Sequence, residues 1–137
     1  MNLIIFGGFL GSGKTSVILS MAHFLVESED SIKSNLVIIE NEVGEIGIDD
    51  KVLKSDGYSV RELFAGCICC QLTSDLITTL NDINENINPK WVIIETTGLA
   101  YPSKILGNVN KYGKGIESIK TVTVVDAERW DELSTIT

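Results

Sequence analysis

A glycine-rich octapeptide near the start of the chain has the residue types and the spacing of a phosphate-binding loop. It reads Gly8-Phe9-Leu10-Gly11-Ser12-Gly13-Lys14-Thr15 and fits G-x-x-x-x-G-K-[ST] at every fixed position. Glycines let the backbone turn its N–H groups toward phosphate oxygens, and a following helix adds the positive end of its dipole. A turn that needs glycine for backbone reasons alone is the alternative. Because the full motif lies between an apolar run and a helical pattern, it predicts nucleotide binding.

Two side chains at the end of this motif are predicted to act on the nucleotide. Lys14 would reach the β- and γ-phosphates, and the Thr15 hydroxyl would hold Mg²⁺. The residues of this segment predicted to bind the nucleotide are Gly8, Gly11, Ser12, Gly13, Lys14, Thr15 and Ser16.

A carboxylate with catalytic chemistry follows the apolar run of residues 91–94. In nucleoside triphosphatases, an acid at the end of a neighbouring strand positions Mg²⁺ or the attacking water. Glu95 is predicted to fill that role and to act with Lys14 in catalysis. Gly98 would offer its N–H to a γ-phosphate and move when the phosphate leaves. Without the phosphate loop, the segment Glu95-Thr96-Thr97-Gly98 would be interpreted as a turn with hydroxyl caps.

Three cysteines, at positions 67, 69 and 70, lie within four residues. Thiolates are good ligands for Zn²⁺ and Co²⁺, and a site that leaves its fourth position open suits transfer of the ion. Inert burial is one alternative, and redox chemistry between Cys69 and Cys70 is another, made awkward by the strained ring. An odd number in one cluster is a poor disulfide framework. Cys67, Cys69 and Cys70 are therefore predicted to bind a transition metal.

Carboxylates also follow a second apolar run, residues 36–39. Glu40 and Glu42 come where this strand would stop, and ligand sites in open α/β sheets lie outside the carboxyl ends of the strands. Residues 43–50 then add two glycines and further acids, among them Asp49. This segment is expected to move and to meet a cation; a merely exposed acidic loop is the alternative.

The elements that must position these groups alternate between strands and helices. Continuous apolar runs predict strands at residues 2–6, 36–39, 91–94 and 121–125, with a short or edge strand at 58–64. Helical spacing predicts helices at residues 15–27, 71–87, 102–112 and from 127 onward. With right-handed crossovers, this order gives an α/β domain of three layers with a mainly parallel sheet.

The first predicted helix carries a stripe of apolar side chains expected to be buried. Its members are Val17, Ile18, Met21, Phe24 and Leu25. His23 lies near the edge of this stripe and is predicted to be a surface or boundary residue rather than a metal ligand.

The composition argues against several classes of partner. Eleven basic and 19 acidic residues give a formal net charge of −8, and no basic block occurs. Nucleic acids and anionic membranes are bound through clustered Lys and Arg, so neither is expected as a partner. No apolar run approaches the roughly 18 residues of a membrane helix, and a soluble cytoplasmic protein is expected.

Four segments occur in an order and spacing that resemble one family. They are the phosphate loop, residues 40–49, residues 66–70 with the cysteines, and residues 95–102. On these segments the chain is identified as a member of the metal-chaperone GTPases of the cobalamin-synthesis CobW type, which are relatives of the urease and hydrogenase nickel-insertion GTPases.

The resemblance implies a GTP-hydrolysing switch that carries a divalent metal, Zn²⁺ or Co²⁺, to a client metalloprotein or a cobalamin-pathway protein. It implies that the cysteines are ligands and that Glu40, Glu42 or Glu45 completes the metal shell. Residues 40–49 would form the first switch, with Asp49 among the catalytic residues, and residues 95–98 would form the second.

One departure from the family bears on base selectivity. Guanine is read by an Asn-Lys-x-Asp segment that follows the last predicted strand, and the chain reaches Thr137 without it. The expectation is therefore one domain, residues 1–137, incomplete at its C-terminus and inclined to self-associate or to need a missing partner. The alternative function is a non-catalytic remnant that binds metal and nucleotide without guanine selectivity.

Overall fold

In the part of the chain that the structure describes, strands and helices follow one another as the apolar and helical patterns predict. The computed structural model describes residues 1–9, 12–27, 36–42, 59–64, 71–96 and 102–135; for residues 26–27, 40–42, 59–64, 71–75, 102 and 133 only the backbone is described. The strands are β1 (Asn2–Gly7), β2 (Leu36–Glu42), β3 (Ser59–Phe64), β4 (Trp91–Glu95) and β5 (Ser118–Thr123). The helices are α1 (Lys14–Glu27), α2 (Gln71–Asn86), α3 (Pro102–Tyr112) and α4 (Trp130–Ser134).

The strands form one five-stranded sheet in the order β3-β2-β4-β1-β5. Every adjacent pair is parallel, so all five carboxyl ends meet at one edge of the sheet. β1 pairs with β4 from Asn2 opposite Trp91 and with β5 from Asn2 opposite Ser118. The predicted α/β class with a mainly parallel sheet is confirmed.

Helices cover both faces of the sheet and divide the core into two clusters. Successive residues of β1 point to opposite faces, so Leu3 and Ile5 join one cluster while Ile4 and Phe6 join the other. The first cluster packs under α2 and α3 through Leu76, Leu80, Ile83 and Val109. The second packs under α1 through Ile18, Ala22 and Leu25. Burial on both faces explains why these strands have continuous apolar sequences.

The predicted stripe of α1 is only partly correct. Ile18 and Leu25 are buried, but Val17 is 38% exposed and Phe24 is 65% exposed. A single helix face contacts the sheet, and with 3.6 residues per turn the positions just before Ile18 and Leu25 fall on its flank. The small side chain of Ala22 lies on the buried face instead. His23 is exposed, as predicted.

The second strand is longer than predicted. β2 runs through Glu42, so the acids expected just beyond the strand are its last residues. The reason is pairing with β3, whose register continues to Glu42 opposite Phe64, whereas the pairing with β4 ends at Glu40 opposite Glu95. The segment interpreted as a short or edge strand is indeed the edge strand β3.

The fifth strand begins and ends earlier than predicted. It covers residues 118–123 rather than 121–125 because β1 sets its register, and the Ser118 hydroxyl donates to the Asn2 side-chain oxygen at 2.6 Å. Beyond it, α4 begins at Trp130 rather than near residue 127. The Glu128 N–H instead donates to the Asp126 carboxylate at 3.1 Å, which favours a turn there.

The end of α2 shows local capping chemistry. Asn88 adopts a left-handed conformation with φ 48°, and its N–H donates to the Ile83 oxygen at 2.8 Å. This bond satisfies a carbonyl of the last turn, and Pro89 follows, as is typical of helix ends. The helix therefore ends at Asn86, one residue before the predicted end. In the described ranges, no helix is long and apolar enough to cross a membrane.

Candidate nucleotide-binding site

The turn after β1 needs glycine at two positions for different reasons. Gly8 has φ 141° and Gly13 has φ 89°, conformations that residues with a side chain rarely adopt. A Cβ at Gly8 would also collide with the backbone oxygen of Val124, whereas a Cβ at Gly13 would meet nothing within 4 Å. Val124, the residue just after β5, thus forms a main-chain wall against the start of the loop. The Val124 N–H fixes this wall by donating to the Gly7 oxygen at 2.9 Å.

Ser12 places a buried hydroxyl just before the start of α1. Its N–H donates to the Phe9 oxygen at 3.1 Å, which closes the turn just before α1. Its Oγ is buried and has no hydrogen-bond partner in the described part of the chain. Buried hydroxyls are normally paired, and leaving one unpaired costs about 1–3 kcal/mol. A phosphate oxygen held over the N-terminus of α1 would satisfy this group.

Lys14, the first residue of α1, is held by a contact from the far side of the site. Its side chain is buried, the residue being 7% exposed, and its Nζ donates to the Thr96 backbone oxygen at 2.9 Å. Burial lowers the pKa of Lys14 from its ordinary value of 10.5, and the negative charge of Glu95 opposes that change. The ammonium is thus a fixed cation at the carboxyl edge of the sheet.

Thr96 follows β4 and is almost fully buried, at 1% exposed. Its N–H donates to the Phe6 oxygen at 2.9 Å, and its side-chain hydroxyl donates to the same oxygen at 2.8 Å. Its own carbonyl receives the bond from Lys14. A continuous chain of hydrogen bonds therefore joins the end of β1, the end of β4 and the start of α1.

The sheet brings the predicted acids to the same edge. Glu95 is half-buried and lies opposite Phe6 of β1 and Glu40 of β2 in the strand register. Thr15 is half-buried and Ser16 is exposed in the first turn of α1. Glu95 therefore lies near Lys14 at the carboxyl edge of the sheet, where its negative charge opposes the lowering of the Lys14 pKa by burial.

Several predicted site residues are not located. Asp49, Gly11, Gly98 and the cysteines Cys67, Cys69 and Cys70 lie outside the described residues. For Glu40 and Glu42 the backbone alone is described, at the carboxyl end of β2. Among the residues that are described, no three His, Cys, Asp or Glu side chains form a group able to hold a metal. The metal ligands and the role of Asp49 stay predictions.

Sequence reasoning missed two parts of this site. Thr96 was predicted only as a member of the second switch, or of a turn without the phosphate loop, and Val124 had no assigned role. The polar Thr96 directly after a buried apolar strand is a signal of a buried hydroxyl that needs a partner. No sequence pattern indicates the Val124 wall, because it depends on the register between β1 and β5.

Comparison with known proteins shows similarity over most of the chain. Residues 2–136 match the family model described as CobW/HypB/UreG, nucleotide-binding domain. The chain is 39% identical over 110 residues to the zinc chaperone CobW of Sinorhizobium sp, a match that covers 75% of this chain and 29% of the relative. It is 38% identical over 99 residues to the zinc chaperone YeiR of Escherichia coli strain K12, covering 72% of this chain and 29% of the relative.

A eukaryotic relative extends the match over more of the chain. The zinc-regulated GTPase metalloprotein activator 1 of Dictyostelium discoideum is 27% identical over 149 aligned positions, which cover 93% of this chain and 30% of the relative. The chain thus spans between 29% and 30% of the length of these three relatives.

Proposed function

Because the chain belongs to the CobW/HypB/UreG nucleotide-binding domain family, a class of P-loop GTPases, we propose that it binds and hydrolyses GTP to control binding of a divalent transition metal. The observation that carries this proposal is the buried contact of Lys14 with Thr96, which joins the phosphate loop to the end of β4 beside Glu95. That arrangement provides a fixed cation, a helix N-terminus and a carboxylate at one edge of the sheet.

In the proposed site, the triphosphate lies over the first turn of α1. Backbone N–H groups from Gly8 to Ser16 surround its phosphates, and the Ser12 hydroxyl donates to a phosphate oxygen. Lys14 neutralises charge on the β- and γ-phosphates. It therefore lowers the barrier to hydrolysis by stabilising the charge that develops on the phosphate oxygens in the transition state. The Thr15 hydroxyl is a hard oxygen ligand that would hold Mg²⁺, and the ion would supply positive charge to the phosphates.

Glu95 orients the attacking water in this proposal. It is half-buried at the end of β4, next to the residue whose carbonyl holds Lys14, and its negative charge acts on the Lys14 ammonium. Loss of the γ-phosphate would release Gly98, and Asp49 would respond from the first switch. The two segments together would report whether triphosphate is bound.

The metal is the cargo of this cycle. We assign Cys67, Cys69 and Cys70 as thiolate ligands, with Glu40 or Glu42 completing the shell. Support comes from chain connectivity: the cysteine segment joins the end of β3 to the start of α2, and β2, which carries both acids, is the neighbour of β3. Zinc is favoured because the relatives are named zinc chaperones, with Co²⁺ as the second candidate. The recipient would be a client metalloprotein or a cobalamin-pathway protein.

Nucleotide binding by the Lys14→Ala variant tests the first half of the proposal. Affinity for a fluorescent GTP analogue with Mg²⁺ should fall roughly 10- to 150-fold, the value of a hydrogen bond to a charged group. Lys120→Ala, which changes an exposed lysine of β5, is the matched control and should bind as the unchanged protein does. Equal affinity of both variants would refute the placement of the phosphates. Competition by ATP as effective as that by GTP would favour the remnant without guanine selectivity.

A second experiment addresses the cargo site. Co²⁺ titration should give a thiolate charge-transfer band that disappears in the double variant Cys69→Ser, Cys70→Ser. Zn²⁺ should compete for the same site. An unchanged Co²⁺ spectrum in the double variant would overturn the ligand assignment without touching the nucleotide site.

A further inference from the structure

We propose that Thr96 is a positioning residue for Lys14, an inference that rests on the proposed function: its hydroxyl fixes the peptide whose carbonyl aims the ammonium at the phosphates. Nothing in the strand pattern requires a hydroxyl at this position. The register places Phe6 opposite Glu95, so the bond from the Thr96 N–H to the Phe6 oxygen already continues the parallel ladder. The bond from the Thr96 hydroxyl is additional.

The additional bond acts on the direction of the next carbonyl. With both donors of Thr96 on one acceptor, at 2.9 Å and 2.8 Å, the residue is held at two points to the end of β1. Its carbonyl lies one residue beyond the last pair of the ladder, Phe6 with Glu95, and accepts from Lys14 Nζ at 2.9 Å. Because Thr96 is 1% exposed, water cannot replace either bond easily. The hydroxyl therefore limits how far this carbonyl can turn.

Donor counting shows what the carbonyl does for Lys14. An ammonium has three N–H donors and no acceptor. Thr96 takes one of them and so sets the directions of the other two, which we assign to a β- and a γ-phosphate oxygen. A lysine side chain that is free in solution loses much rotamer freedom when it binds. Here the side chain is buried and already held, so the loss has occurred before the nucleotide arrives.

Two substitutions at Thr96 separate positioning from packing. Thr96→Val keeps the shape and removes the hydroxyl, whereas Thr96→Ser keeps the hydroxyl and removes a methyl group. If the hydroxyl positions Lys14, Thr96→Val should weaken Mg²⁺-GTP binding by on the order of tenfold, the effect of one hydrogen bond, while Thr96→Ser should stay close to the unchanged protein. Thr121→Val makes the same chemical change at an exposed position of β5 and should have no effect.

A purely structural hydroxyl would give a different pattern. Thr96→Val would then lower the melting temperature while the folded protein kept its GTP affinity, and that result would overturn the inference. The outcome is distinct from failure of the proposed function, in which Lys14→Ala itself would keep its affinity. If GTP affinity falls in Lys14→Ala but not in a folded Thr96→Val, only the role assigned to Thr96 is refuted.

Should Thr96→Val not fold, a measurement on the unchanged protein tests whether the Thr96 carbonyl holds the Lys14 ammonium. The lysine ammonium signals can be observed by ¹⁵N NMR, with that of Lys14 assigned by its absence in Lys14→Arg. A Lys14 ammonium held by the Thr96 carbonyl should exchange its protons with water much more slowly than the exposed Lys120 does. Equally fast exchange of the two signals in the nucleotide-free protein would contradict the inference.

Discussion

The two neighbours of β1 differ in burial although both pair with it in parallel from Asn2 onward. On one side, Val92, Ile93 and Ile94 of β4 are all buried, and helices cover both faces. On the other side, no residue of β5 is fully buried. The buried side carries the Lys14–Thr96–Phe6 linkage, whereas the exposed side contributes the main-chain wall at Gly8.

This difference separates two ways of building a phosphate site. Side-chain charge and hydroxyls are most effective where water is excluded, because electrostatic interactions are stronger there. Main-chain shape needs no such protection, since a carbonyl can exclude a Cβ equally well at the edge of a sheet. We therefore expect changes beside β4 to alter affinity and pH dependence, and changes beside β5 to alter mainly the shape of the loop.

The largest contrast should appear in global stability. Ile93→Ala in β4 should lower the free energy of unfolding by about 2–5 kcal/mol, because it leaves a cavity in the core under α1. Ile119→Ala in β5 should cost roughly 1 kcal/mol, since that side chain is already partly in water. Urea unfolding measures both. Equal losses of unfolding free energy in the two variants would show that β5 is as much part of the core as β4 is.

The main-chain wall can be tested with two glycines. Gly8→Ala should lower stability by about 1–3 kcal/mol through strain alone and should weaken nucleotide binding, because the loop must move away from Val124. Gly107→Ala, in α3 with open space around it, is the matched control. It should raise stability by roughly 0.5–1 kcal/mol through higher helix propensity. Normal nucleotide affinity in Gly8→Ala would refute a role of the Val124 main chain in nucleotide binding.

The smallest effect concerns pH. The pKa of Lys14 is below 10.5 in the folded protein, so between that lowered pKa and 10.5 the unfolded chain binds more protons at this residue. Stability should therefore rise with pH across this window, and the contribution is lost as pH falls through the folded pKa. Urea midpoints measured from neutral to alkaline pH should show this rise reduced in Lys14→Met. The exposed Lys120→Met is the control, and parallel curves for all three proteins would contradict the burial argument.

The difference in burial between β4 and β5 also decides which strands could be predicted from the sequence. Burial on both faces produces the continuous apolar runs of β1 and β4, so their positions and the phosphate loop between β1 and α1 were predictable. β5 has only a partial pattern, and its true bounds depend on the pairing of Asn2 with Ser118, which lies far away in sequence. β2 was extended past its apolar run by β3 for the same reason.

The site shows a similar division between local and long-range information. Lys14 was predicted because its motif is contiguous, and Glu95 was placed at the correct strand end. The bond from Lys14 to Thr96 crosses 82 positions of the chain and needs the adjacency of β1 and β4, which no local pattern specifies. Phe24 was predicted to be buried but is exposed. Periodicity identifies the apolar stripe of α1, but it does not show how much of that stripe the sheet covers.

If nucleotide and metal occupancy are energetically linked, as proposed, Zn²⁺ affinity should differ when it is measured with and without a non-hydrolysable GTP analogue and Mg²⁺. Bound nucleotide should change Zn²⁺ affinity by about 5- to 150-fold, equivalent to roughly 1–3 kcal/mol of coupling. Lys14→Ala should keep the nucleotide-free Zn²⁺ affinity and lose the effect of nucleotide. The same Zn²⁺ affinity in the unchanged protein under both conditions, with nucleotide binding verified, would contradict the account.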